Sequence, residues 1–440
     1  MDPHTVPPTE ARQRIAIVFH ETYLGCAPSL INAARLFDEH GWDVDIVMRD
    51  TDADFAQPPD LGAHVELLRI ADGQPARHGV QSATPTSSDT RTWRSRVKQA
   101  LPAGLASSLE AARERIHAIT AGLAPRTWTT RHRFVKGVAL ATQGRDYDAV
   151  IGVDMLGLAA ARPLAVARHV PLVYWSLEIM FLRDFWAPAW RRAKRRERAD
   201  HRVANVLVIQ DTERQQALCE ENRAGSVPAL LIPNSPRGEA SADLSRQRFH
   251  SQFELKDATR VILHAGSICE GMRSSDLAAV AAMWPRDRVL VFHSHTPIDL
   301  QTHYYRDIVA SGEGRVLIST KPVPYDELDE LIASADIGVV IYDSTLGPNF
   351  QLLAGASGKL SHYLRCGVPV ISVDNPSIAR VLTENQCGIG VDRVEEVADA
   401  VQTILADHAN YRDRAEKAYL EQFEFERHFQ SLLTFLEGAS

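Results

Sequence analysis

The chain has 440 residues, 45% hydrophobic and 24% charged. That is an ordinary globular composition, and it excludes disordered and fibrous classes. A net charge of -8 argues against a nucleic-acid partner, and no apolar run reaches the roughly 18 residues a spanning helix needs.

The opening segment, MDPHTVPPTEARQ, is polar and proline-rich. It has no basic region followed by an apolar one, so it does not read as a signal peptide; residues 1–12 are expected to be a disordered tail. RIAIVF (Arg14 to Phe19) reads as a strand. A loop through Gly25 follows, then a helix with Leu30, Ala33, Ala34 and Phe37 on one face. WDVDIVM and AHVELLRI continue as strands. Residues 71–90 read as a loop, and residues 91–142 as a basic, mostly helical insert. YDAVIGV, VPLVYWS and NVLVIQ resume the strands, with a helical stretch expected between the last two, Leu177 to Ala199.

A second alternation follows a polar stretch after Pro228 to Gly238. It runs VILHAGS, RVLVFHS, RVLIST, DIGVVIY, GVPVISV and GIGV. Apolar runs alternating with helical patterns indicate βαβ units and parallel sheets. The expected organisation is therefore two doubly wound α/β domains, residues 13–234 and 235–408. A C-terminal helical segment, 409–440, should pack back on the first. Ligands of such folds bind beyond the carboxyl ends of the strands, here in the cleft between domains.

Charge is uneven. Arg91 to Lys136 carries about ten Lys/Arg against Glu110 and Glu114, and Arg191 to Arg202 about seven against two acids. Five cysteines, none in CxxC spacing, suggest neither a disulfide framework nor a zinc site. A cytoplasmic protein fits best. Neither G-x-G-x-x-G nor GxxxxGK[ST] occurs, which disfavours NAD enzymes and P-loop ATPases.

Four stretches, in order, carry a resemblance: YLGCAPSLINAARLFDEHGWDVDIV, IPNSP, AGSICEGMRSSDLAAVAAM, and YDELDELIASADIGVVIYDS with SGKLSHYLRCGVPVISVD. Together they resemble the GT-B fold glycosyltransferases, specifically the retaining family 4. The resemblance implies an α/β GT-B fold, two tandem Rossmann-like domains facing across a cleft. It also implies transfer of a sugar from a nucleotide diphosphate donor, with the nucleotide-sugar as co-substrate, no other cofactor and no metal.

Negative charge develops on the departing diphosphate, and a cation or helix N-terminus stabilises it. Arg273 and Lys359 match the family positions for this work; the alternative is that both are solvated surface cations. Gly266 and Gly358 fall where backbone approaches the donor; Gly25 either lets the backbone approach the donor phosphates or the acceptor closely or is a plain turn glycine. The family's glutamate pair would fall at Ala354 and His362, so both acids are missing. His362 is left as a weaker ribose contact, and Asp343, Ser344 and Asn349 are replacement candidates for the sugar. Asp154 either orients the acceptor hydroxyl and accepts its proton or caps the next helix. Glu178 either binds acceptor or caps the helix after it. His20 and Glu21 also face the cleft, while His264 is expected in the core.

The acceptor is expected to be a sugar, a lipid-linked or a small molecule. Basic residues mixed with Trp and Phe suit an anionic membrane surface. The protein would then be peripheral at the cytoplasmic face. Cell-surface polysaccharide or glycolipid synthesis is the expected setting. Two other readings stand beside the transferase: a non-catalytic GT-B protein and a sugar-nucleotide epimerase.

Overall fold

A computed structural model describes residues 12–50, 58–71, 127–240 and 244–439. Residues 1–11 of the expected tail, 72–90 of the expected loop and 91–126 of the basic insert lie outside the described residues. The chain forms two compact units, one of Met1–Ile70 with Phe134–Ser440, the other of Ala71–Arg133. The larger unit holds both sheets.

Thirteen described strands make two sheets, and every pairing is parallel. The first has seven strands: β1 (Gln13–Phe19), β2 (Trp42–Arg49), β3 (Val65–Ile70), β4 (Ala149–Val153), β5 (Leu172–Trp175), β6 (Val206–Ile209) and β7 (Ala229–Leu231), in the order β3-β2-β1-β4-β5-β6-β7. The second has six: β8 (Arg260–Ala265), β9 (Arg288–His293), β10 (Val316–Ser319), β11 (Ile337–Ile341), β12 (Val370–Val373) and β13 (Gly388–Val391), in the order β10-β9-β8-β11-β12-β13. Parallel strands are covered on both faces, so they read as continuous apolar runs. β4 and β11 are buried throughout.

The strand order reverses between β1 and β4 and again between β8 and β11. Those two crevices are where such sheets bind ligands. Hydrogen bonds cross between the two domains: the two terminal Arg35 nitrogens donate to the Asp326 carboxylate at 3.0 and 3.1 Å, and the Asn32 amide donates to the Tyr325 hydroxyl at 3.3 Å.

Close packing sets the helix at each crevice. The helix Asp154–Arg168 lies so near β1 that a Cβ at Gly157 would come 2.3 Å from the Val18 carbonyl oxygen. The helix Gly358–Arg365 is tied to β8 by Tyr363, whose hydroxyl donates to the Leu263 carbonyl (2.8 Å) and accepts from the Ala265 N–H (2.9 Å). Gly338 on β11 leaves room for that ring; a Cβ there would sit 2.6 Å from it.

Two expectations are corrected. The stretch Leu177 to Ala199 is not one helix: residues 177–187 are loop and a 3-10 turn, and the helix runs Pro188–His201. Pro188 is the reason, since proline favours a first helical position and biases the residue before it away from helix. The C-terminal segment is two helices. His408–Gln422 packs within the second domain through Ala415, Ala418 and Tyr419. Only Phe425–Ala439 reaches the first domain, burying Phe425, Phe429, Leu432, Leu433 and Leu436 in its core. The end of the basic insert is also partly core, because helix Thr127–Ala141 buries Phe134 and Val138.

Candidate functional site

At the first crevice, β1 ends at Phe19 and presents His20 and Glu21, whose side chains meet at 3.1 Å. The His20 ring also packs edge-on against Phe134. Gly25 lies just beyond, in the 3-10 turn Leu24–Cys26. β4 delivers Asp154 with a left-handed φ of 54°. The side chain does not cap its helix. Its Oδ1 accepts from the N–H groups of Leu177 (2.7 Å) and Glu178 (2.9 Å).

Burial pushes the Asp154 carboxyl up to about 8; the neighbouring charges of Glu178 and Glu21 add to the shift, and the two N–H bonds oppose it. Tyr23 stands in the same field. Although the residue is 39% exposed, desolvation of its hydroxyl and then the charges of Asp154, Glu21 and Glu178 raise that hydroxyl above the ordinary range. The first domain thus offers a titratable cluster of Tyr23, Glu21, Asp154 and Glu178. Sequence reasoning misses Tyr23, because a tyrosine in a loop has no distinguishing pattern.

The second crevice holds Lys359. Ser357 caps the helix Gly358–Arg365 by accepting the Leu360 N–H, so Lys359 sits in the first turn at the positive end of the dipole. Among the described residues no carboxylate pairs with it. Its ammonium lies 4.4 Å from the centre of the Tyr342 ring. The stem crosses Gly266, which follows β8 with a φ of 135°; a Cβ there would fall 2.7 Å from Nζ. Its conformation favours glycine, while the space is bounded only by the movable end of the Lys359 side chain. His264, fully buried behind it, is held neutral: burial, then the Lys359 charge, brings its ring down to about 3. His295 is lowered by the same two causes.

The other expected donor-side residues make local contacts. Arg273 has a left-handed φ of 49° and donates through Nε to Asp276 on the helix that follows it, at 3.0 Å. Asp343 caps the following 3-10 turn by accepting the Thr345 N–H, and Ser344 donates to Asp374 at 2.8 Å. Gly358 packs beside Asn234.

His362 is 5% exposed. Its ring is packed edge-on against Tyr325 and lies 3.6 Å from Asp329, on the side of the helix that meets Leu328–Ala333. That placement, rather than an open crevice, corrects the expected ribose contact. Asn349 and Glu178 are brought together across the two domains, with the Asn349 amide donating to the Glu178 carboxylate. Glu178 therefore caps no helix.

Among the described residues no group of three His, Cys, Asp or Glu is placed to hold a metal ion, and no helix is long and apolar enough to cross a membrane.

Residues 302–421 match a family described as the glucosyltransferase 3-like C-terminal domain. No curated protein sequence matches the chain. Among solved structures, sucrose-phosphate synthase from Thermosynechococcus elongatus superposes with a TM-score of 0.66 at 16% identity, covering 98% of this chain and 100% of that one. Anabaena HepE in complex with UDP and glucose gives 0.64 at 13%, covering 97% and 100%. WaaG, a glycosyltransferase involved in lipopolysaccharide biosynthesis, gives 0.57 at 12%, covering 95% and 98%. Two facing parallel sheets, each with its crevice at the strand-order reversal, give this chain the GT-B fold, and its second domain carries a match to the glucosyltransferase 3-like C-terminal domain.

Proposed function

We propose that the protein is a glycosyltransferase. The second domain holds a nucleoside-diphosphate sugar, and the first holds a hydroxyl acceptor. Lys359 carries the reading: a cation with no carboxylate partner among the described residues, at a helix N-terminus beside a glycine of positive φ, is arranged for an anion. As the donor bond breaks, charge accumulates on the diphosphate, and Lys359 together with the helix N–H groups stabilises it. Asp154 is suited to orient the acceptor hydroxyl and, in its ionised form, which prevails above about pH 8, to take its proton. A uridine donor is favoured, since HepE, of the same fold, has been solved with UDP, glucose and UDP-glucose. Retention of anomeric configuration is part of the proposal; proton NMR of the fresh product would decide it.

An anionic membrane surface is the proposed location of the acceptor. Trp186 is 92% exposed, and Arg183, Arg195 and Arg202 near it in sequence are exposed too. Co-sedimentation with phosphatidylglycerol vesicles, against phosphatidylcholine as control, tests this.

Calorimetry with UDP, GDP and ADP and their glucose conjugates tests the donor site. Removing one charge-assisted contact costs about 1.5–3 kcal/mol, so Lys359→Ala should weaken binding roughly 10- to 100-fold with little change in Tm. Absence of binding by every nucleotide, or an unaltered affinity in the variant, would sink the proposal.

A further inference from the structure

We infer that Arg214 is a positioning residue that clasps the acceptor-side loop Leu177–Ile179 to the donor-side turn at residues 349–352. Its catalytic consequence rests on the glycosyltransferase reading; its structural content does not.

Arg214 lies in the helix Thr212–Asn222 of the first domain and is fully buried. Among the described residues no carboxylate lies within salt-bridge distance. Its guanidinium donates instead to four oxygens: the carbonyls of Leu177 (2.8 Å), Asn349 (3.3 Å) and Leu352 (2.9 Å), and Oδ1 of Asn349 (3.0 Å). Burying a charge this way is costly, yet the position is held by bonds to both domains.

The geometry shows what the bonds accomplish. Arginine can only donate, so the Asn349 atom facing it must be the oxygen. The same oxygen accepts the Ile179 N–H at 2.9 Å. The Asn349 amide nitrogen is thereby turned to the Glu178 carboxylate. Three consecutive loop N–H groups are now held: Leu177 and Glu178 by Asp154, Ile179 by Asn349. Asp154 holds the Glu178 backbone from within the first domain, while Asn349 of the second domain holds the Glu178 side chain, and Arg214 sets which way Asn349 faces. The same turn is pinned again by Asp211, whose carboxylate accepts the Gly355 N–H at 2.9 Å. Assembly of the acceptor-side acids is coupled to the position of the donor domain.

The test uses the full chain with Arg214→Met, Asn349→Ala and the double variant. Hydrogen exchange read at the Ile179 amide should speed up about 10-fold or more in each, while exchange in the β-strands stays unchanged. UDP affinity should stay within about twofold, because Lys359 is untouched, and acceptor transfer should fall about 10-fold or more. The double variant should be no worse than the poorer single, as expected for residues acting as a unit. Arg214→Lys, which keeps the charge without the fork, should restore little of the lost transfer. Unchanged Ile179 exchange in Asn349→Ala, or losses that multiply in the double variant, overturns the clasp. A wild-type chain with no transfer on any acceptor overturns the glycosyltransferase reading instead, and Ile179 exchange still decides the clasp. Should Arg214→Met fail to fold, Asn349→Ala alone carries the test.

Discussion

Asp154 concentrates the chemistry of the first domain in one carboxyl. Its folded pKa, about 8, lies above the ordinary 3.8, chiefly through burial. The folded protein therefore keeps a proton that the unfolded chain releases. Between those two values the folded state binds more protons, so this contribution to stability falls as pH rises from about 4 through about 8. The side-chain amide of an Asp154→Asn variant does not titrate, and its oxygen can still accept the Leu177 and Glu178 N–H bonds. The Tm of the variant minus that of wild type should be near zero at pH 4–5 and positive at pH 8–9, while transfer is lost. A difference that does not grow with pH would show that the carboxyl is not raised. Gain of stability with loss of activity is the usual sign of a group kept for chemistry.

At the scale of elements, the donor site depends on how the helix Gly358–Arg365 is seated. The Tyr363 hydroxyl bridges that helix to the end of β8, where Gly266 begins. Tyr363→Phe keeps the ring in the space left by Gly338 but leaves the buried Ala265 N–H and Leu263 carbonyl short of a partner. The expected cost is about 1–3 kcal/mol by denaturant unfolding. Nucleotide binding should weaken as well, because Lys359 rides on the same helix. A stability loss with unchanged nucleotide affinity would separate the helix seat from the donor site.

For the whole molecule, the helix Phe425–Ala439 returns to the first domain after the second is complete. Phe429 is fully buried and meets Phe37 with ring centres 4.9 Å apart. Phe429→Ala should cost about 3–5 kcal/mol by denaturant unfolding, most of it in the first domain. Acid stability has a separate origin. Burial, first of all, depresses His201 to about 4, His264 to about 3 and His293 to about 4. The unfolded chain takes up these protons near pH 6.5 and the folded one does not. Their contribution is present above about 6.5 and is lost as pH falls toward 4. A Tm that is flat from pH 7 to pH 4.5 in the Asp154→Asn background would contradict this.

Both sheets are legible from the residues alone, because parallel strands covered on both faces leave unbroken apolar runs such as RIAIVF and DIGVVIY. The start of the helix that carries Lys359 is legible too, in Ser357 and Gly358 before it. Direction is what a sequence does not carry. His362 stands one turn after Lys359, yet the helix turns it to Tyr325 and Asp329. Asn349 reads as a sugar contact and is spent on Ile179, Arg214 and Glu178. Arg214 and Tyr23 carry no signal, since a lone arginine in a polar helix and a lone tyrosine in a loop are unremarkable until the partner domain is placed. Local chemistry and periodicity decide elements and their ends, within a few residues of the chain. Which side chains meet across the cleft depends on contacts more than a hundred residues apart, and only the packing of the two domains decides those.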